Sequence, residues 1–174
     1  MIVYFYNGSE LKEFYGKHVE PNLPKIFQTS KIDFVDLLDI TKDYNCVLCA
    51  AHPCASLHKN LKKFSESNNV DKIISEIPIF EVMNSNLFRQ NNLDAIDWAK
   101  SEKKAFSGGS DAHTVSTIGS CVTCSPADNV NDFLDSILAK QNKVIGTETK
   151  KVDKSLAVLA IIQKNIETLG NLWK

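Results

Sequence analysis

Apolar residues in this chain fall into short unbroken runs, separated by segments in which they recur every three or four positions. The runs are Ile2–Tyr6, Cys46–Ala51, Pro78–Val82 and Ala105–Ser107, with weaker ones at Ser120–Cys124 and Lys143–Gly146. Runs of this length read as strands buried on both faces, as in a parallel sheet. Between them the periodicity is helical. Ser9 is expected to cap a helix reaching about Val19, with Glu10 in its first turn and Pro21 and Pro24 ending it. Phe34, Leu37, Leu38 and Ile40 mark a short amphipathic helix over Asp33 to Thr41. Leu57, Leu61 and Phe64 mark another, followed by a piece at about Val70 to Glu76. Asn92 is expected to cap Leu93 to about Lys103, and Asn129 or Asn131 to start a helix through Lys140. Asp153 to Leu169 forms the last one. Strands alternating with helices predict right-handed crossovers and parallel strands throughout.

Parallel strands gather their carboxyl ends on one side, where α/β folds place their sites. Three of these ends carry chemistry. His52-Pro53 follows the first, Met83-Asn84-Ser85-Asn86 follows the second, and Gly108-Gly109-Ser110-Asp111-Ala112-His113 spans the end of the third. Asp111 and His113 are two residues apart, so in an extended loop their side chains point the same way. A carboxylate and an imidazole converging on one point suit Zn, Mn or Fe. His52 reads either as a third ligand or as a strand-end histidine bonded to backbone. Glu81 sits in an otherwise apolar strand, and a buried carboxylate is costly unless bonded, so it anchors a loop or supports a ligand. Asn84 faces substrate or closes an Asx-type turn. His58, Lys59, Lys62 and Lys63 steer a phosphate towards the rim or form a solvated helix face. Three ligands and a water would make a hydrolytic zinc-type site, in which the ion activates water and polarises a phosphoryl oxygen.

Composition narrows the classes. At 174 residues the chain is one domain or part of a larger one, and its net charge is −1. Nineteen of the 20 basic residues are lysine, Arg89 being the exception, and no basic stripe runs along the chain. A large duplex-binding surface is therefore excluded. Met1–Tyr6 lacks the basic start of a secretory leader, and the longest apolar run, Leu156–Ile162, has seven residues. A span needs ~20, so a cytoplasmic chain without a membrane partner is expected. Cys46-x2-Cys49 and Cys121-x2-Cys124 have zinc-knuckle spacing. Their intervening pairs, Val-Leu and Val-Thr, favour strands, in which residues three apart face opposite ways. Structural, reduced cysteines are expected instead.

Ala51-His52-Pro53, Phe80-Glu81-Val82-Met83-Asn84 and Gly109-Ser110-Asp111-Ala112-His113, with Ile118-Gly119 following, give the chain its family likeness. In order and spacing it resembles the later part of the polymerase-and-histidinol-phosphatase (PHP) family of metal-dependent phosphoesterases. The resemblance implies a distorted seven-stranded β/α barrel of parallel strands, with two or three divalent ions (Zn, Mn or Fe) in a complete site. It implies that His52, Asp111 and His113 are metal ligands. It implies that Glu81 and Asn84 shape the pocket; His58 and Lys59, from their own chemistry, are read beside them as supporting or substrate-binding residues.

Family members open with an H-x-H strand, then an Asp, a further His and a Glu. Nothing in Met1–Asn45 supplies these, His18 being the only histidine there and lying inside a helix. A single PHP-like domain over 1–174 is expected, starting near the fourth family strand with the N-terminal strands missing. Its core covers about 1–150 and its C-terminal helix about 153–169. The implied function is metal-dependent phosphoester hydrolysis, by this chain or by a protein of which it is the C-terminal portion. The alternative is a non-catalytic PHP-like module that binds metal weakly or a protein partner, through the apolar face of Leu156 to Leu169. The expected partners are a small phosphorylated substrate or a nucleic-acid end, and a missing N-terminal half or a second copy.

Overall fold

A computed structural model describes residues 1–23, 31–55, 61–68 and 71–148. His58, Lys59 and the helix expected at 153–169 lie outside the described residues. The strands are β1 (Ile2–Phe5), β2 (Cys46–Ala50), β3 (Ile79–Asn84), β4 (Ala105–Gly109), β5 (Cys121–Cys124) and β6 (Lys143–Gly146). The helices are α1 (Gly8–Phe14), α2 (Phe34–Thr41), α3 (Leu61–Asn68), α4 (Asp71–Ser75), α5 (Arg89–Ser101) and α6 (Val130–Leu138). A π-helical turn continues α1 over Tyr15–Val19, and a 3-10 turn with Pro21 in its first positions ends it.

The first four strands form one sheet in the order β1-β2-β3-β4. β2, β3 and β4 are parallel, as their apolar runs predict. β1 is antiparallel to β2, pairing Ile2 with Cys49 and Phe5 with Cys46. β5 and β6 form a separate antiparallel pair. The expectation of parallel strands throughout therefore fails at three strands, and no closed barrel forms among the described residues. The reason is physical: apolar content reports burial, whereas strand direction depends on where each connection returns.

Alternation along the strands sorts the core into two faces. Leu48, Ala50, Phe80 and Val82 face Leu38 of α2, Ile74 of α4 and Ala99 of α5. Val47, Cys49, Ile79 and Ala105 face Ile137 of α6, with Tyr4 and Phe133 packed alongside. Helices thus cover both faces, each fully buried large side chain contributing about 1.5–3 kcal/mol. β1 is half-buried along its whole length, as befits an edge.

β4 closes the other edge without a continuous ladder. The Thr123 hydroxyl accepts from the Gly108 N–H and donates to the Gly108 carbonyl, both at 2.9 Å, while Asn142 Nδ2 donates to the Phe106 carbonyl at 2.9 Å. Side chains from the β5–β6 layer so occupy backbone groups that would otherwise template a further strand. This requires close approach at Gly108, where a Cβ would meet Val144 Cγ1, Cys121 Sγ at 2.8 Å and the Met83 carbonyl at 2.9 Å.

Local signals set the helix ends. Asn7 caps α1 by accepting from the Glu10 N–H at 2.9 Å, in place of the expected Ser9. Asp33 and Asn129 cap α2 and α6 through the N–H groups of Val35 and Asp132. α5 and α6 both end in a Schellman motif: Lys104 N–H bonds the Ala99 carbonyl and Gln141 N–H the Ser136 carbonyl, each at 2.8 Å. Glycine usually fills the left-handed position of that motif. Here Lys103 (φ 54°) and Lys140 (φ 59°) fill it, at a cost of roughly 1–2 kcal/mol each.

Gly108→Ala is expected to destabilise the chain by about 1–3 kcal/mol through overpacking against the β5–β6 pair. Gly8→Ala, at the open start of α1 where nothing lies within 4 Å, leaves stability near the parent's. Urea midpoints of the two variants check this; equal midpoints would remove the close approach at Gly108.

Candidate functional site at the carboxyl-end rim

Because β2, β3 and β4 are parallel and adjacent, His52, Glu81 with Asn84, and Asp111 with His113 share one rim of the sheet. Glu81 is its centre. It follows Ile79 by two residues, so it lies on the α6 face beside Cys49 and Ser107. It is 7 % exposed and accepts from the His52 backbone N–H at 2.7 Å and from Asn84 Nδ2 at 3.1 Å. Its other oxygen, Oε1, lies 3.0 Å from where a Cβ on Gly109 would sit. Glycine there leaves the carboxylate room. The register of β3 against β4 shifts between Glu81 and Met83, which places an extra residue in β3. Such a bulge re-aims the side chains beyond it.

Asn84 joins two carboxylates, its Nδ2 lying 3.3 Å from Asp111 Oδ2 as well as near Glu81. Its Oδ1 accepts from the Asn86 N–H at 3.0 Å, which is an Asx-type turn. It is 1 % exposed. Of the two roles open to Asn84 from the sequence, the structure shows the turn, together with a bridge that the sequence did not suggest.

Asn92 holds that bridge in place. Its side-chain amide pairs with the backbone of Asn84 on both sides, accepting from the N–H at 3.0 Å and donating to the carbonyl at 3.1 Å. The expectation that Asn92 caps α5 is corrected here: the helix starts at Arg89 after Phe88, and Asn92 is buried within it. Buried amides seek partners, and the nearby strand end at Asn84 outcompetes a capping role. An Asn inside a helix, three residues after its start, was the available signal.

Asp111 and His113 are exposed. His113 Nδ1 lies 2.8 Å from the Asp111 carbonyl, which can only accept, so Nδ1 carries the proton and Nε2 of the neutral ring keeps its lone pair. Asn86 Nδ2 lies 3.4 Å from the same nitrogen, but as a donor it forms no bond to a protonated Nδ1. His52 (φ 32°) and Asp111 (φ 46°) both occupy the left-handed region. Two such residues on one rim, neither of them glycine, are the kind of strain that gathers at functional sites.

Burial pushes the Glu81 carboxyl up, and the Asp111 charge adds to this. The bonds from Asn84 and the His52 N–H, and the His52 charge, oppose it. On the same face the Cys49 thiol, bonded to Ser107 Oγ at 3.3 Å, is raised to about 12 by burial, and Cys121 to about 11. All five cysteines are free thiols. Cys46 Sγ turns to the Thr41 carbonyl while Cys49 turns to Ser107, so the first C-x2-C pair diverges.

The donor types suit a divalent cation, but among the described residues no group of three or more His, Cys, Asp or Glu side chains is arranged to hold one. His52, Asp111 and His113 share the rim without converging on a point. The described residues also contain no helix long and apolar enough to cross a membrane.

Residues 89–142 match the family model described as PHP-associated. That stretch runs from α5 to the turn before β6 and contains Asp111 and His113, which agrees with the later portion of a PHP-type protein. No curated protein and no solved structure matches the chain.

The raised Glu81 carboxyl has a stability consequence. The folded chain holds this proton to higher pH than the unfolded chain does, so stability falls as pH rises above the ordinary value of 4.5 and levels off beyond the folded value. Glu81→Gln keeps acceptors for both donors and removes the charge, and is expected to flatten that fall. Urea midpoints collected across this interval for parent and variant decide it; parallel profiles would place the titration elsewhere.

Proposed function

We propose that this PHP-associated chain supplies the later half of a metal-dependent phosphoesterase site, with Asp111, His113 and His52 as its ligand donors. One observation carries the reading: the hydrogen-bonded chain from the His52 N–H through Glu81 and Asn84 to Asp111 binds a metal-type carboxylate into a fixed rim. Supporting bonds of this kind orient ligands and set their basicity. A divalent ion bound at such a site would supply Lewis acidity and an activated water. Because the described residues gather no three-ligand cluster, the set requires donors beyond them. The resemblance puts those donors on an H-x-H strand and its neighbours.

The chain's own contributions follow from its geometry. Among the described residues Asp111 Oδ1 has no hydrogen-bond partner while Oδ2 is steadied by Asn84, and His113, which is exposed, keeps Nε2 available because Nδ1 is committed to the backbone. The substrate class in this reading is a phosphoester, either a small phosphorylated molecule or a nucleic-acid end. The spread of the three donors also favours a second reading, a non-catalytic module that binds metal weakly or a protein partner.

Elemental analysis after dialysis against Mn or Zn separates the readings. Asp111→Asn and His113→Ala are expected to lose bound metal, and Asn84→Ala to weaken uptake by about 10–100-fold. Metal-dependent turnover of a generic aryl phosphoester should fall in the same order. Equal metal content in parent, Asp111→Asn and His113→Ala would remove these residues from any metal site.

A further inference from the structure

At the end of the sheet opposite the rim, Lys100, Lys103, Lys104 and Lys140 line a cavity of about 410 Å³ together with Phe106 and Asn142. β4 separates the two places: Ala105 starts beside the cavity and Gly109 ends at the rim, about 13 Å apart at 3.3 Å per residue. The chain's net charge is −1, yet four of its 20 basic residues line this one concavity. Among the described residues no carboxylate lines the cavity and none of the four lysines makes an ion pair. Glu102 is the carboxylate whose charge reaches Lys104.

Two of the ammonium groups are fixed. Lys104 Nζ donates to the Ile74 carbonyl at 2.6 Å and lies 3.4 Å from that of Ser75; Lys140 Nζ donates to the Lys103 carbonyl at 2.8 Å. The Lys100 and Lys103 side chains make no hydrogen bond among the described residues and are exposed. The ends of α5 and α6 explain part of this charge, since a helix C-terminus carries about half a negative charge and favours a cation. Two ends balance about one lysine, and four are present. Lys103 and Lys140, moreover, stand where glycine fits the backbone without strain, and both line the same cavity.

We propose that this cavity binds the clustered phosphoryl groups of a small ligand, at a site separate from the rim. Ammonium groups are compact donors suited to phosphate oxygens, while Phe106 and the lysine stems form an apolar wall for the rest of the ligand. The volume exceeds what one phosphate fills, and several cations need several anionic groups. A nucleic-acid track does not fit: the charge is gathered in one concavity, and among the described residues that line it Phe106 is the one aromatic.

Calorimetric titration of the whole chain with inorganic tripolyphosphate at low salt tests this. Saturable binding is expected, weakened at least about tenfold in Lys100→Gln/Lys103→Gln and by raising the salt to about 0.3 M. Both side chains are exposed, and a urea midpoint matching the parent's confirms that the double variant is folded. Backbone amide shifts should move at Lys103, Lys140 and Asn142 and stay still at Asp111 and His113. The proposal is overturned by absent saturation, by unchanged affinity in the folded double variant, or by shifts confined to the rim. Equal affinity for inorganic phosphate would overturn the clustered-phosphoryl assignment, and equal affinity for a hexaglutamate peptide would overturn the preference for phosphate.

Discussion

The buried carboxylate of Glu81 is the constraint around which the rim is built. A carboxylate left without partners in that position would cost several kcal/mol, so the fold must bring donors to it. One comes from the backbone of His52 at the end of β2, and the other from Asn84 at the end of β3 itself. Gly109, at the end of β4, leaves the space. Satisfying one side chain therefore fixes three strand ends against one another. The same bonds pass the constraint outward to Asp111, which is exposed yet held from beneath.

Asn92 extends this logic into the helix layer. Its amide copies the pairing of a neighbouring strand, meeting both backbone groups of Asn84 beyond the point where the β3–β4 ladder is disturbed by the bulge. The site thus rests on α5 as well as on the sheet. At the far end of β4 charge accumulates where two helices finish, with no acid among the described residues that line the cavity.

Much of the fold was legible because burial leaves a clear trace in sequence. The runs at Cys46, Pro78 and Ala105 became the three parallel strands, and their polar endings gave the rim with His52, Glu81, Asn84, Asp111 and His113 on it. The direction of β1 was not legible, since the Ile2–Phe5 run is equally apolar whichever way it points. Nor were long-range side-chain bonds: Asn92 to Asn84 and Thr123 to Gly108 join positions whose sequence neighbourhoods show only a helix and a strand. The carboxylate and imidazole were visible as donors. Their spread along the rim was not, because spacing within a loop says nothing of how far one loop stands from the next.

The antiparallel placement of β1 bears on how this sheet could recruit another segment. β1 saturates the row of backbone groups on the free side of β2, the position where a parallel neighbour would otherwise pair. A visiting strand must then either add outside β1 or evict it, and eviction breaks existing pairs before new ones form. Recruitment by eviction would be an exchange reaction, slow and governed by how often β1 lets go rather than by how strongly the newcomer binds. Any segment arriving by that route would do so on a kinetic schedule set by the sheet and not by the newcomer.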